Sequence, residues 1–178
     1  MMRRFLFAVG LALLTLRPAA AQDAPRAEVF GGYTYAGGGA HGWDASVAGN
    51  VNGWLGLAAD VGGQYASPEE PGVRERIRTH AFLFGPQFSV RRSRRVTPFA
   101  RALFGASHIS TEAAEAGQIF SFSDTSFAVA LGGGLDVQVK ESLAVRVVQL
   151  DYVRTGFFGE TQNKGRLSFG LVLRLGRK

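Results

Sequence analysis

The sequence predicts an all-β fold: an eight-stranded antiparallel up-and-down barrel that crosses a membrane. Three observations carry that expectation. The final segment, Arg166 to Gly176, reads R-L-S-F-G-L-V-L-R-L-G. Strand side chains alternate with period 2. Leu167, Phe169, Leu171, Leu173 and Leu175 therefore share one face, and Arg166, Ser168, Gly170, Val172 and Arg174 share the other. A face of glycine, serine and arginine suits the crowded interior of a small barrel whose bulky face points at lipid. The second observation is an export leader. The third is a chain of alternating segments joined by connections that switch between long and short.

The leader comprises residues 1–21. Arg3 and Arg4 supply the positive start, and Phe5 to Leu16 form an apolar run too short to span a bilayer as a helix. Ala19-Ala20-Ala21 gives the small-residue cleavage pattern, so the mature chain, residues 22–178, is expected to begin at Gln22.

Seven alternating segments precede the final one. Ala27–Tyr35 sets Val29, Tyr33 and Tyr35 opposite Glu28, Phe30, Gly32 and Thr34. Trp43–Val51 sets Trp43, Ala45, Val47 and Val51 opposite Asp44, Ser46, Ala48 and Asn50. Asn52-Gly53 follows, a strong signal for a tight hairpin. Trp54–Tyr65 sets Leu55, Leu57, Ala59, Val61 and Tyr65 opposite Gly56, Ala58, Asp60, Gly62 and Gln64. Arg78–Arg91 carries Phe82, Phe84, Pro86, Phe88 and Val90 on its bulky face. In Thr97–Ile109 the phase is set by pointing Arg101 inward. Ser126–Lys140 turns Phe127, Val129, Leu131, Leu135, Val137 and Val139 away from Ala128, Ala130, Gly132, Gly134, Asp136 and Gln138. In Leu143–Arg154, Arg146 is out of phase with Gln149 and Asp151, which predicts a β-bulge near Val147-Val148.

The connections are read as Gly37–Gly39, Asn52-Gly53, Ala66–Ile77, Arg92–Val96, Ser110–Asp124, Glu141-Ser142 and Thr155–Asn163. Short turns at one end and longer loops at the other are the pattern of an outer-membrane barrel. After the leader no apolar run reaches helix-spanning length, so a membrane crossing must use strands.

Composition agrees. The chain has 178 residues, 24 of them glycine and 14 phenylalanine, with no cysteine. A disulfide framework and thiolate metal sites are excluded. The net charge is +6, but Arg3, Arg4 and Arg17 leave with the leader, and the remaining 17 basic and 14 acidic residues give +3. No nucleic-acid partner is expected at that balance.

Eight strands enclose an interior just wide enough to be filled by side chains. Gly56, Gly62, Gly132, Gly134 and Gly170 make room for Asp60, Asp136, Asp151, Arg101, Arg146 and Arg174. A charge in that dry space needs a partner. A structural ion-pair plug is favoured over a proton or ion path. Tyr33, Tyr35, Trp43, Trp54 and Tyr65 lie near strand ends and suit interfacial aromatic girdles.

Val29-Phe30-Gly31-Gly32-Tyr33, Gly53-Trp54-Leu55-Gly56, Phe84-Gly85-Pro86, Pro98-Phe99-Ala100 and Gly132-Gly133-Gly134-Leu135-Asp136 resemble the outer-membrane β-barrel domain family, which includes the barrel of OmpA-like proteins. Ala144-Val145-Arg146 through Asp151-Tyr152 is similar to that family's penultimate strand. The resemblance spans residues 26–176. It implies the outer membrane of a Gram-negative-type cell. The implied partners are outer-membrane lipid and, during biogenesis, the insertion machinery; a monomer is expected. The sequence stops soon after the expected barrel, with no room for the peptidoglycan-binding domain that full-length OmpA-like proteins carry, so their wall-anchoring role is not expected here. It reads Leu175-Gly176-Arg177-Lys178 where such barrels end on an aromatic residue.

For chemistry, His41, His80 and His108 fall at one rim, with Ser107, Ser110 and Glu112 near His108. A lipid-modifying enzyme would use such a histidine with a serine or an acid. The residue types are too common in exposed loops to outweigh a polar rim, and the histidine spacing matches no metal motif. No enzyme activity, cofactor or metal site is expected. Arg91, Arg92, Arg94 and Arg95 are read as a solvated basic turn rather than a contact for anionic head groups. The expected role is structural or surface-interactive. The alternatives are the enzyme and a soluble periplasmic barrel, whose Leu167–Leu175 face would point inward around an apolar ligand.

Overall fold

The computed structural model describes residues 24–70, 73–115 and 118–177. The expected leader lies outside the described residues. The described strands are β1 (Pro25–Ala36), β2 (Ala40–Asn50), β3 (Leu55–Ala66), β4 (Glu69–Glu70), β5 (Val73–Ser89), β6 (Val96–Glu115), β7 (Gln118–Lys140), β8 (Leu143–Thr155) and β9 (Gln162–Arg177). A 3-10 turn, Phe157–Gly159, lies between β8 and β9.

Each long strand pairs antiparallel with its sequence neighbour, and β9 closes the ring on β1. The two-residue β4 only lengthens the hairpin into β5, so eight long strands form the closed barrel. Closure removes every free sheet edge along the wall, which is what a β-structure needs in lipid.

The alternation in the sequence becomes an inside and an outside. Leu167, Phe169, Leu171, Leu173 and Leu175 are between 37% and 54% exposed on the outer wall, while Ser168 and Val172 are fully buried. That orientation overturns the soluble-barrel alternative, which required the leucine face inside. Phe82, Phe84, Phe88, Leu57, Leu131 and Leu150 extend the apolar belt around the wall. One side of the interior is an apolar wedge of Ala48, Ala58, Leu83, Leu103, Ala128 and Ala130.

The bulge falls where the phase break put it. Leu135 pairs with Val148 but Asp136 pairs with Arg146, so Val147 is the extra residue on β8. It lets Arg146, Gln149 and Asp151 all face inward.

Three expectations fail. Ser110–Asp124 is not a loop. β6 runs on to Glu115 and β7 starts at Gln118, so this stretch is a ladder that projects past the start of β8 pairing at Ala128. Ala66–Ile77 likewise contains β4 and the start of β5. Apolar alternation marks only a strand with one apolar face, whereas backbone pairing continues wherever a partner strand is present. Asn52-Gly53 is also not a two-residue primed turn, because neither residue has positive φ. The link is a four-residue turn in which Asn52 Oδ1 accepts the N–H groups of Trp54 and Leu55 at 2.9 and 2.8 Å, the side-chain mimicry common for asparagine.

Candidate functional site: a charged lumen and an aromatic rim

The barrel encloses three tiers of polar side chains. The tier nearest the long hairpins is built around two arginines. Arg101, inward on β6, donates from Nε to Asp151 Oδ1 at 3.0 Å and from Nη2 to Asp151 Oδ2 at 2.7 Å. Its Nη1 reaches Asp60 Oδ2 at 2.8 Å. Arg166, at the head of β9, bonds Asp60 at 3.1 Å and Asp151 at 3.0 Å, and its Nη1 lies 3.6 Å from Asp44 Oδ1. Gln149 Nε2 donates to Asp44 and Asp151, each at 3.0 Å. All six residues are buried. Bidentate guanidinium–carboxylate contacts are the geometry in which a desolvated ion pair recovers most of its cost.

In the middle tier, Arg146 forks onto Asp136 at 2.8 and 3.1 Å and donates to Gln149 Oε1 at 2.6 Å. Its guanidinium sits 4.4 Å from the Phe30 ring centroid and 4.2 Å from that of Phe99, a double cation–π contact. The third tier closes the turn end. Glu28 is held by Arg174 at 3.2 Å and by Arg91 at 2.6 Å. Arg174 also donates to Gln138 and Thr97. Arg91 also donates to the carbonyl of Gly53.

The six residues singled out in the sequence thus occupy all three tiers. Arg174 stands apart from Asp60 and Asp136 and serves Glu28 instead. Asp44, Arg166, Glu28 and Gln149 belong to the network and were passed over, although alternation had already put the first three on inward faces. Arg91 is a correction. It is not a solvated turn residue but folds back into the mouth, because Glu28 and Asn50 offer acceptors there. Arg92, Arg94 and Arg95 remain on the exposed turn.

The glycines are spacing elements at specific points. A Cβ on Gly132 would come within 2.2 Å of Asp151 Oδ1, so the outer tier exists only with glycine opposite Asp151.

The outer wall carries a second arrangement. Tyr33, Trp43, Gly63, His80, His108 and Thr125 form one row across β1, β2, β3, β5, β6 and β7. Trp43 Nε1 donates to Tyr65 Oη at 3.3 Å, His80 Nε2 lies 3.4 Å from the same hydroxyl, and His41 stacks on Tyr33. Tyr35 is also exposed near this end. Trp54 lies at the opposite end, stacked on Phe88.

The outer membrane protein β-barrel domain model matches residues 6–174. The chain belongs to this family. Comparison with curated proteins finds no match. Among solved structures, Ail, the attachment invasion locus protein of Yersinia pestis, aligns with TM-score 0.65 and 18% identity over 85% of this chain and 99% of that one. Neisserial surface protein A aligns with TM-score 0.64 and 16% identity over 86% and 100%. The N-terminal barrel of Pseudomonas aeruginosa OprF aligns with TM-score 0.50 and 11% identity over 85% and 98%. At these identities the likeness is one of fold. Ail has also been solved with the heparin analogue sucrose octasulfate.

As a member of the outer-membrane barrel family, the protein sits in the outer membrane with its apolar belt in lipid. The rim histidines can then be weighed as chemistry. Ser107 does not serve His108: its hydroxyl is turned into the barrel and donates to the His80 carbonyl at 3.3 Å. His108 Nδ1 meets Thr125 Oγ1 at 2.7 Å instead. His80 and His108 are cross-strand partners, but among the described residues no group of metal-ligating side chains surrounds them.

Proposed function

We propose that the protein is a small outer-membrane barrel with a structural or surface-interaction role, its lumen filled by side chains and closed to permeation. The observation that carries this reading is the outer tier. Arg101 and Arg166 bridge Asp60 and Asp151 across the interior with buried contacts, so the space that would conduct is occupied by paired charge. The aromatic residues Tyr33, Tyr35, Trp43 and Tyr65 serve one membrane interface and Trp54 the other. The reading assigns no chemical step to the rim histidines, takes residues 1–21 as a cleaved leader, and treats the barrel as a monomer.

The interaction element on this reading is the β6–β7 hairpin, which carries Phe120 and Phe122 exposed beyond the wall. Attachment, the word in Ail's name, is the activity to assay. Cells displaying the protein are compared with cells displaying a variant whose residues 112–121 are replaced by a tight turn, on glycan-coated and bare surfaces. Loss of adherence with unchanged surface level is expected. Equal adherence of the two would remove the surface-interaction half of the reading.

A further inference from the structure

The outer wall carries a groove of about 560 Å³ at the loop-side end of the β8–β9–β1 seam. Its construction follows from two ladder rows. In the upper row Leu131 pairs with Tyr152, Tyr152 pairs with Gly165, and the Gly37 N–H donates to the Gly165 carbonyl at 3.0 Å. In the lower row Leu150 pairs with Leu167 and Leu167 with Tyr35. Gly165 and Gly37 are the floor. Tyr152 and Leu131 wall one side, and Tyr35 and Leu167 close the other and the lower end.

The two floor glycines have no packing reason to be glycine. A Cβ on either meets nothing within 4 Å, and neither has positive φ. Gly132, by contrast, is forced by Asp151. Gly165 lies inside β9, where a glycine weakens the strand. What the missing side chains leave is an open channel between aromatic walls, of a volume within the roughly 300–1,000 Å³ range of ligand sites.

Two observations identify the occupant. The groove is apolar and lies on the lipid-facing wall, so an acyl chain fits it. One ladder step further out, Arg154 is exposed on the same face of β8 as Tyr152. That step is roughly 7 Å, which sets a cation at head-group height above the hydrocarbon slot. We infer that this groove holds one acyl chain of a phosphorylated glycolipid of the outer leaflet, lipid A, with its phosphate on Arg154. The loop side of an outer-membrane barrel faces outward, and lipid A is the phosphate-bearing lipid of that leaflet.

The test is native mass spectrometry of the folded protein in detergent with added lipid A. Wild type is expected to retain one lipid A. G165L, whose side chain fills the floor, is expected to retain about tenfold less. G49L adds the same bulk to another exposed glycine whose Cβ position is also open and is expected to retain as much as wild type. R154Q is expected to weaken retention of lipid A but not of its dephosphorylated form. Equal retention by wild type and G165L would overturn the site. Equal retention of phosphatidylglycerol and lipid A would overturn the assignment of the occupant. If G165L fails to show the heat-dependent gel shift of a folded barrel, G37V fills the neighbouring floor position from the turn and decides the matter by the same readout.

Discussion

Arg101 holds Asp151 with two parallel hydrogen bonds, at 3.0 and 2.7 Å, across the barrel interior. Asp151 also accepts from Arg166 and Gln149, so its removal leaves two buried guanidiniums sharing Asp60 with one carboxylate too few. Breaking a buried ion pair from one side costs about 3–5 kcal/mol. D151A is therefore expected to lose that order of stability, read as a lower urea midpoint for unfolding in micelles. An unchanged midpoint would mean the lumen is wet enough to solvate Arg101.

Gly132 opposes Asp151 on the neighbouring strand. G132A is expected to abolish the gel shift of the folded barrel, or to yield a barrel as unstable as D151A, because the methyl group displaces the carboxylate. G49A meets open space and is expected to fold like wild type. The same gel, run with and without boiling, reads both.

Leu171 and Phe122 are similarly exposed, at 54% and 58%, yet their surroundings differ. Leu171 lies on the wall between Gly31 and Val145, whereas Phe122 lies on the projecting hairpin opposite Thr111. Arginine on the lipid face near the midplane costs roughly 2–4 kcal/mol and little outside it. L171R is expected to fall in that range and F122R near zero, measured by refolding into bilayers of one thickness. Equal costs would show that the hairpin is also in lipid.

Arg91 and Arg94 belong to one basic turn but only Arg91 is bonded into the mouth. R91A is expected to lose about 2 kcal/mol, the worth of a charge-assisted hydrogen bond. R94A is expected to stay within about 0.5 kcal/mol of wild type. Thermal unfolding of the two variants side by side separates them.

How far the sequence could be read follows from what alternation encodes. Period 2 tells which face a side chain takes, so Leu171 was legible as outward and Asp60 as inward. The phase break at Val147 was legible for the same reason. Alternation says nothing about height in the barrel, which depends on the stagger of all eight long strands. Arg174 could therefore not be matched to Glu28, nor Arg166 recognised as the partner of Asp60, from spacing alone. The β6–β7 hairpin was missed because residues 110–124 mix serine, threonine, alanine and glutamate without a sustained apolar face. Arg91 was missed because a turn residue's side chain is free to fold back, and only the position of Glu28 determines that it does.

Glu28 and Arg174 are 146 positions apart. The acid on the first strand waits for a counter-charge that the closing strand of the barrel supplies. Asp60 and Asp151 stand in the same relation to Arg166. Until β9 docks, Glu28 has only Arg91, and Asp60 and Asp151 share only Arg101, so sealing the seam and completing the charge balance of the interior are a single event. A polypeptide that stops short of β9 lacks both, and its unfinished edge is electrostatically distinguishable from a finished one.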